Sequence, residues 1–155
     1  MNISLRAFTP QDQEFLFQLY ADTRRQEVSA WGWSQQQQET FLRMQFNAQQ
    51  RWYDTAYKDA RHEIIEGEAG PIGRIMVLRA DDHNVLVDIA LLAGYRGRGI
   101  GGKLLRDLLE QSDRERVPVR LQVLKANPAR HLYERLGFVQ TGENEMYFQM
   151  ERTPQ

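Results

Sequence analysis

Five of the chain's eleven glycines, Gly94, Gly97, Gly99, Gly101 and Gly102, fall in one stretch, Leu92-Ala-Gly-Tyr-Arg-Gly-Arg-Gly-Ile-Gly-Gly-Lys103. Glycine lets main-chain N–H groups come close to a ligand, because no side chain stands in the way. The stretch follows an apolar run and opens a helical pattern. The first N–H groups of a helix have no partner within it, so they form an anion site. Arg96, Arg98 and Lys103 add positive charge beside them. The chemistry these residues suit is the holding of phosphate.

Which phosphate is decided by the neighbours. Gly97 to Lys103 fits the spacing G-x-x-x-x-G-K, but Leu104 stands where a nucleotide loop needs a hydroxyl for magnesium. Gly97, Gly99 and Gly102 also fit G-x-G-x-x-G. A dinucleotide fold then wants a carboxylate at the end of the next strand. Here that strand ends Leu121-Gln-Val-Leu-Lys125 and offers none. A tight turn with no ligand is the plainest reading, yet five glycines are more than a turn requires.

These residues need elements to position them. Asn2 to Phe8 reads as a strand, stopped at Thr9-Pro10, with Thr9 or Asp12 capping a helix marked by Phe15, Leu16, Leu19, Tyr20 and Thr23. Trp31-Gly32-Trp33 interrupts it. Ser34 caps a second helix, Gln35 to about Tyr57, with Phe41, Met44, Ala48 and Trp52 expected along one stripe. His62–Glu66 and Ile72–Leu78 read as a hairpin about the turn Gly67–Gly70. Val85–Leu92 is almost wholly apolar, as expected of a strand covered on both faces. After the glycines, Ile100, Leu104, Leu105, Leu108 and Leu109 mark an amphipathic helix, with Arg106, Asp107 and Glu110 on its wet side. Val119–Leu124 is a strand, Ala129–Leu136 a short helix stopped by Gly137, and Phe138–Thr141 and Met146–Glu151 are final strands. No linker or repeat interrupts the pattern, so residues 1–155 read as one domain of α/β (α+β) type.

Composition narrows the function classes. The chain has 155 residues, a net charge of −1 and no cysteine. Near-neutral charge disfavours a general nucleic-acid binder. The absence of cysteine excludes disulfides, thiolate nucleophiles and cysteine metal sites. No membrane-spanning run and no leader-like start are visible, so a cytoplasmic protein is expected. His62, His83 and His131 match no metal or triad spacing, and the first two are expected to be exposed.

Two blocks together carry a resemblance. Arg96-Gly-Arg-Gly99-Ile-Gly101 looks like the R/Q-x-x-G-x-G/A pyrophosphate loop of the GNAT family of N-acetyltransferases. Asn127-Pro-Ala-Arg-His-Leu-Tyr133-Glu-Arg-Leu-Gly137-Phe138 resembles the family's second hallmark, an Asn after the next strand followed by a helical Tyr and Gly-Phe. The order of elements agrees along the chain, more weakly over the first sixty residues. The resemblance implies a mixed six- to seven-stranded sheet flanked by about four helices. It also implies acetyl-CoA as the acetyl donor, with no metal, bound where strands Val85–Leu92 and Val119–Leu124 splay apart.

Residue by residue, the resemblance gives the main chain at Ile89, Ala90 and Leu91 to the pantetheine arm. One of those N–H groups polarises the thioester carbonyl. The pyrophosphate falls to Arg96, Gly97, Arg98, Gly99, Ile100, Gly101 and Gly102. Asn127 holds the pantetheine or shapes the splay, and Tyr133 is the general acid. A tyrosine near pKa 10 gives a proton to a departing thiolate, conjugate pKa about 8.5, at modest cost. Packing against Phe138 is the structural reading of the same side chain.

The base is less clear. Some relatives carry a Glu where this chain has Gln122, which cannot act as a base. Asp88 lies in an otherwise apolar strand, where an unpaired carboxylate is costly. It is either a base or, the preferred reading, a structural carboxylate paired with an arginine such as Arg74. Glu27 is a second candidate base, in the region that would form the acceptor wall. Most of the aromatic residues precede residue 58, among them Trp31, Trp33, Phe46, Trp52, Tyr53 and Tyr57, and they cannot all face the core. Some are expected to line an acceptor pocket or a homodimer contact, with Arg24, Arg25 and Glu27 holding polar groups of the substrate. The sequence thus points to direct acetyl transfer to a primary amine in a ternary complex, the amine being a small molecule or a protein amino group. The alternative is a non-catalytic acyl-CoA-binding or sensing module on the same fold.

Overall fold

The computed structural model describes residues 2–155; Met1, the first residue of the N-terminal stretch, lies outside the described residues. Among the described residues seven strands form one sheet. They are β1 (Ser4–Ala7), β2 (Arg61–Gly67), β3 (Gly70–Arg79), β4 (Asn84–Leu91), β5 (Val119–Leu124), β6 (Val139–Glu143) and β7 (Tyr147–Arg152), in the order β1-β2-β3-β4-β5-β7-β6. Only β4 and β5 run parallel. The helix α3 (Ile100–Glu115) makes the crossover between them, as a parallel pair requires. The remaining helices are α1 (Gln13–Ser29), α2 (Gln35–Ala56) and α4 (Ala129–Arg135). The strands and helices expected from the sequence are all present, with ends shifted by a residue or two.

The two faces of the sheet are covered differently. On one face Leu105, Leu108 and Leu109 of α3 and Tyr133 of α4 pack on Ile75, Leu86, Leu121 and Val123. On the other face Leu16, Phe17 and Leu19 of α1 and Leu42 and Phe46 of α2 pack on Ile64 of β2. Ser34 caps α2 as expected: its hydroxyl accepts the Gln37 N–H, while the Gln37 side chain accepts the Ser34 N–H.

The α2 stripe needs correction. Leu42 and Phe46 are the buried residues, whereas Met44 and Trp52 are more than half exposed. Leu42 and Phe46, four apart, define a face rotated away from the one expected, and the aromatic ring of Trp52 gave a misleading cue. His62 is also not exposed. Its ring stacks on Phe8 at 4.6 Å, and its Nε2 is fully enclosed with no hydrogen-bond partner. Burial pushes its pKa down to about 4. His83 is half-buried beside Asp82, at 2.6 Å.

Candidate active site

The parallel pairing of β4 with β5 is short. Asn84, Val85 and Leu86 face Val119, Arg120 and Leu121, and no pairing continues beyond, although β4 runs to Leu91 and β5 to Leu124. The strands part after Leu86 and Leu121 and leave a cleft. This corrects the reading of β4 as a strand covered on both faces. Val87 to Leu91 are only half-buried, because the neighbour that would cover them has moved away.

A bulge lies at the point of parting. Met76 of β3 faces Asp88 and Val77 faces Leu86, so Val87 is an extra residue. An extra residue changes which N–H groups point to which side. Before the bulge, Asn84 N–H donates toward β5, to Pro118 O at 2.9 Å. After it, Leu92 N–H donates the other way, to Ile72 O of β3 at 2.8 Å. By the two-residue alternation of a strand, Leu91 and Ile89 then turn their main-chain groups into the cleft. Ala90 does not: its carbonyl oxygen points at Gly73 of β3, so closely that a Cβ there would lie 2.2 Å away. Of the three residues expected to meet the pantetheine arm through the main chain, Ile89 and Leu91 are oriented for it and Ala90 is turned away.

The cleft leads to the glycine loop. Gly97 and Gly99 adopt φ of +75° and +83°, a left-handed conformation that side-chain-bearing residues avoid. Gly99 is the N-cap of α3, and the first intrahelical bond runs from Lys103 N–H to Gly99 O, at 3.0 Å. The N–H groups of Ile100, Gly101 and Gly102 precede that bond and point out of the helix end. Gly101 makes the best test of fit for a phosphate group. It sits in a helix, where glycine costs about 1 kcal/mol against alanine. Yet a Cβ there would meet nothing nearer than Leu91 Cδ1 at 4.0 Å. Nothing within the protein forbids a side chain at this position, and the space beside it is open to a group approaching from outside. These residues fit a pyrophosphate.

The basic side chains of the loop divide their roles. Arg96 donates to Leu91 O at 2.9 Å and reaches Asp22 of α1 at 3.3 Å; Asp22 also accepts Ala93 N–H at 2.7 Å. The guanidinium of Arg96 therefore braces the loop. Asp22 escaped the sequence reading, since one Asp on an amphipathic helix carries no local signal. Arg98 lies over the Tyr95 ring at 5.3 Å, and Lys103 pairs with Asp107 at 3.1 Å.

Asn127 accepts the Ala129 N–H at 2.9 Å, holding the chain where it leaves β5 and enters α4. Tyr133 follows on α4, buried, its ring edge-on to Phe138 at 5.8 Å. Burial, then the negative charge of Asp88, pushes its pKa up to about 12. It is thus a protonated donor throughout the neutral range.

Asp88 projects from β4 on the α1–α2 side. Its Oδ2 accepts from Arg74 Nε at 2.7 Å, the pairing the sequence suggested. Arg74 is 3% exposed, and its other nitrogens reach Gln49 and Gln50 of α2 at 3.0 and 3.3 Å. The Tyr53 ring covers it, 5.3 Å away. Asp88 Oδ1 has no hydrogen-bond partner among the described residues. Glu27 is placed elsewhere, exposed in the last turn of α1 and paired with Arg24 at 2.9 Å. Among the described residues no hydrogen bond joins Glu27 to Asp88 or Tyr133. Trp31 and Trp33 pack edge-on with Phe41 and stay about two-fifths exposed, whereas Phe46 lies in the core and Tyr53 and Tyr57 turn toward the sheet.

Where β4 and β5 part, a cavity of about 400 Å³ opens on the face opposite α3. It is lined by Val87 of β4, Gln122 of β5, Gln149 and Glu151 of β7, Thr141 of β6 and Tyr57 after α2. Among the described residues no cluster of three or more potential ligating side chains forms a metal site, and no helix is long and apolar enough to cross a membrane.

Comparison with known proteins agrees with this geometry. The family model described as "Acetyltransferase (GNAT) domain" matches residues 58–140. Among solved structures, the chain is similar to a PaiA N-acetyltransferase from Thermoplasma acidophilum in complex with coenzyme A, at 20% identity and a TM-score of 0.72, covering 99% of each chain. It is also similar to the ribosomal-protein-S18-alanine N-acetyltransferase from Escherichia coli, at 16% identity and a TM-score of 0.65, covering 98% of this chain and 94% of that one. A spermidine N-acetyltransferase chimera from Vibrio cholerae matches at 21% identity and a TM-score of 0.66, covering 99% of this chain and 96% of that one. No curated protein matches the sequence.

Proposed function

The chain belongs to the GNAT family of acetyltransferases, and on that premise we propose that it moves an acetyl group from acetyl-CoA directly to a primary amine within a ternary complex. The observation that carries this reading is the continuity of the β4–β5 cleft. Main-chain groups of Ile89 and Leu91 lead along it to the N–H cluster at the start of α3. Acetyl-CoA, when bound, supplies an activated acyl group. The main chain of Ile89 and Leu91 holds the arm of that molecule like an added strand, and the α3 N-terminus with Gly97 and Gly99 takes its pyrophosphate. A fixed N–H aimed at the carbonyl oxygen as negative charge develops there contributes about 3 kcal/mol. With no cysteine in the chain, a cysteine-bound acetyl relay is excluded.

Asp88 Oδ1 takes the proton from the incoming ammonium, and Tyr133 gives one to the departing sulfur. Burial holds Tyr133 near 12, so protonating a thiolate of conjugate pKa near 8.5 costs about 5 kcal/mol. Asp88 is thus both paired, through Oδ2, and available, through Oδ1, which joins the two roles the sequence set against each other.

The second reading, a non-catalytic acyl-CoA sensor, draws on the engagement of Asp88 by Arg74 and of Glu27 by Arg24. A broad panel of primary amines with acetyl-CoA, read by release of free thiol, decides between them. Amine-dependent thiol release is expected. Tight acetyl-CoA binding with no amine-dependent release from any member of the panel establishes the sensor.

A further inference from the structure

We propose that the cavity at the parting of β4 and β5 is the acceptor site, and that it selects compact amines with a single positive charge and a neutral hydrogen-bonding body, against polyamines and acidic amino acids. The proposal rests on the acetyltransferase reading and gives that site a substrate class. Its position follows from the register. Leu86 and Leu121 are the last paired residues, and the next residue on each strand, Val87 and Gln122, lines the cavity. Tyr57, at the end of α2, closes it on the side where Asp88 projects and where Arg74 meets α2. An amine lodged there approaches the cleft from the face opposite α3, whose N-terminus forms the phosphate end. Its volume, about 400 Å³, suits a small molecule.

The charge inventory sets the class. Arg120 and Glu151 are the charged side chains in the lining, and they bind each other at 2.8 Å. Close by, Lys125 at the end of β5 is paired with Glu143 at the end of β6. What remains in the lining is neutral. Gln149 donates to Gln122 at 3.2 Å, and Thr141 is the extra residue of a bulge in β6 that lines the cavity beside them. The two amides and the hydroxyl match an amide or hydroxyl on the ligand. Asp88 follows the lining residue Val87 in β4 and lies outside the lining itself; its Oδ1 has no partner among the described residues and is left to one ammonium at the edge of the cavity. A second ammonium would leave water for a lining whose only carboxylate is already paired, which is unfavourable. A carboxylate on the acceptor finds the same obstacle, since Arg120, Lys125 and Arg74 are all engaged.

The test measures kcat/KM at saturating acetyl-CoA for alaninamide and phenylalaninamide, for spermidine, and for glutamate. The same amines are titrated into the CoA-loaded protein by calorimetry. At least tenfold preference for the amides over spermidine and glutamate is expected in both measurements. Gln149→Glu adds one carboxylate to the lining and should raise the spermidine-to-amide ratio at least fivefold. Wild-type preference for spermidine or glutamate overturns the proposal. So does an unchanged ratio in a Gln149→Glu protein whose circular dichroism is native. Selective amide binding without thiol release for any amine supports the cavity and removes the transferase reading, so the two can fail separately.

Discussion

The groups proposed for the donor are main-chain ones, at Ile89, the Leu91 N–H and the N–H groups of the first turn of α3. Those proposed for the acceptor, on the face opposite α3, are side chains: Asp88, Tyr57, Gln122 and Gln149. The donor wall is set by backbone conformation, by left-handed Gly97 and Gly99 and by a bulge at Val87. The second is set by the choice of residue, held in place by partners such as Arg74 and α2. A wall of main chain tolerates change in most side chains but hardly any change at its glycines. A wall of side chains can be rewritten one residue at a time with the fold intact. This is the division expected of a protein that keeps one donor and adapts to different acceptors.

Substitutions can break that contrast. The largest effect is expected at the point where the walls meet. Tyr133→Phe should lower kcat at least 100-fold, within the range attributed to a positioned acid. Acetyl-CoA affinity, by calorimetry, should stay within twofold, because the ring and its packing on Phe138 remain. Unchanged kcat across pH would remove Tyr133 from the chemistry. Asp88→Asn should come next, with kcat down roughly tenfold to 100-fold. It should also lower stability by about 1–3 kcal/mol, since Arg74 loses its charged partner. Unchanged kcat in a folded Asp88→Asn protein would make Asp88 purely structural.

On the main-chain wall the expected signs are opposite. Gly101→Ala should stabilise the protein by up to about 1 kcal/mol, by helix propensity, yet weaken acetyl-CoA binding about tenfold by filling the phosphate approach, a loss of roughly 1.4 kcal/mol. Thermal unfolding and calorimetry read the two quantities separately, and a Gly101→Ala protein that binds normally would clear the helix terminus of any cofactor role. Gly99→Val should block binding too, but φ of +83° also strains the fold there, so Gly101 is the cleaner probe.

The smallest effect lies away from the cleft. His62 is held neutral down to about pH 4, against an ordinary value of 6.5. Between those values the unfolded chain binds a proton that the folded one refuses. His62 therefore favours folding fully above pH 6.5, and that advantage drains away as pH falls toward 4. His62→Phe keeps the stack on Phe8 and should flatten the loss of denaturant midpoint across that interval. An equally steep loss in the variant would show that other groups cause it.

The same contrast explains what could be read in the residues alone. Gly97 and Gly99 leave a trace because a positive φ excludes most side chains, and the Asn127-to-Phe138 block leaves one because a strand end, a helix start and a helix stop each constrain residue type. The seven strands and four helices were legible for the same reason: period, caps and turns are local. Asp22 left no trace, because its role is to meet Ala93 and Arg96 some seventy residues away. The face of α2 was misread because Met44 and Trp52 are apolar without being inward. Nor could the role proposed for Asp88 be read, since it depends on which of its oxygens Arg74 occupies.

Val87 has a consequence larger than its size. A strand offers its amides to alternate neighbours as a matter of parity, odd residues one way and even the other. One added residue inverts that count for everything after it. Were Val87 paired in register instead of bulged out, Ile89 and Leu91 would spend their amides on β3, and Ala90 would look into the opening. The difference between a sheet that keeps its hydrogen bonds to itself and one that lends them to a guest is here a matter of arithmetic modulo two, settled by a single valine.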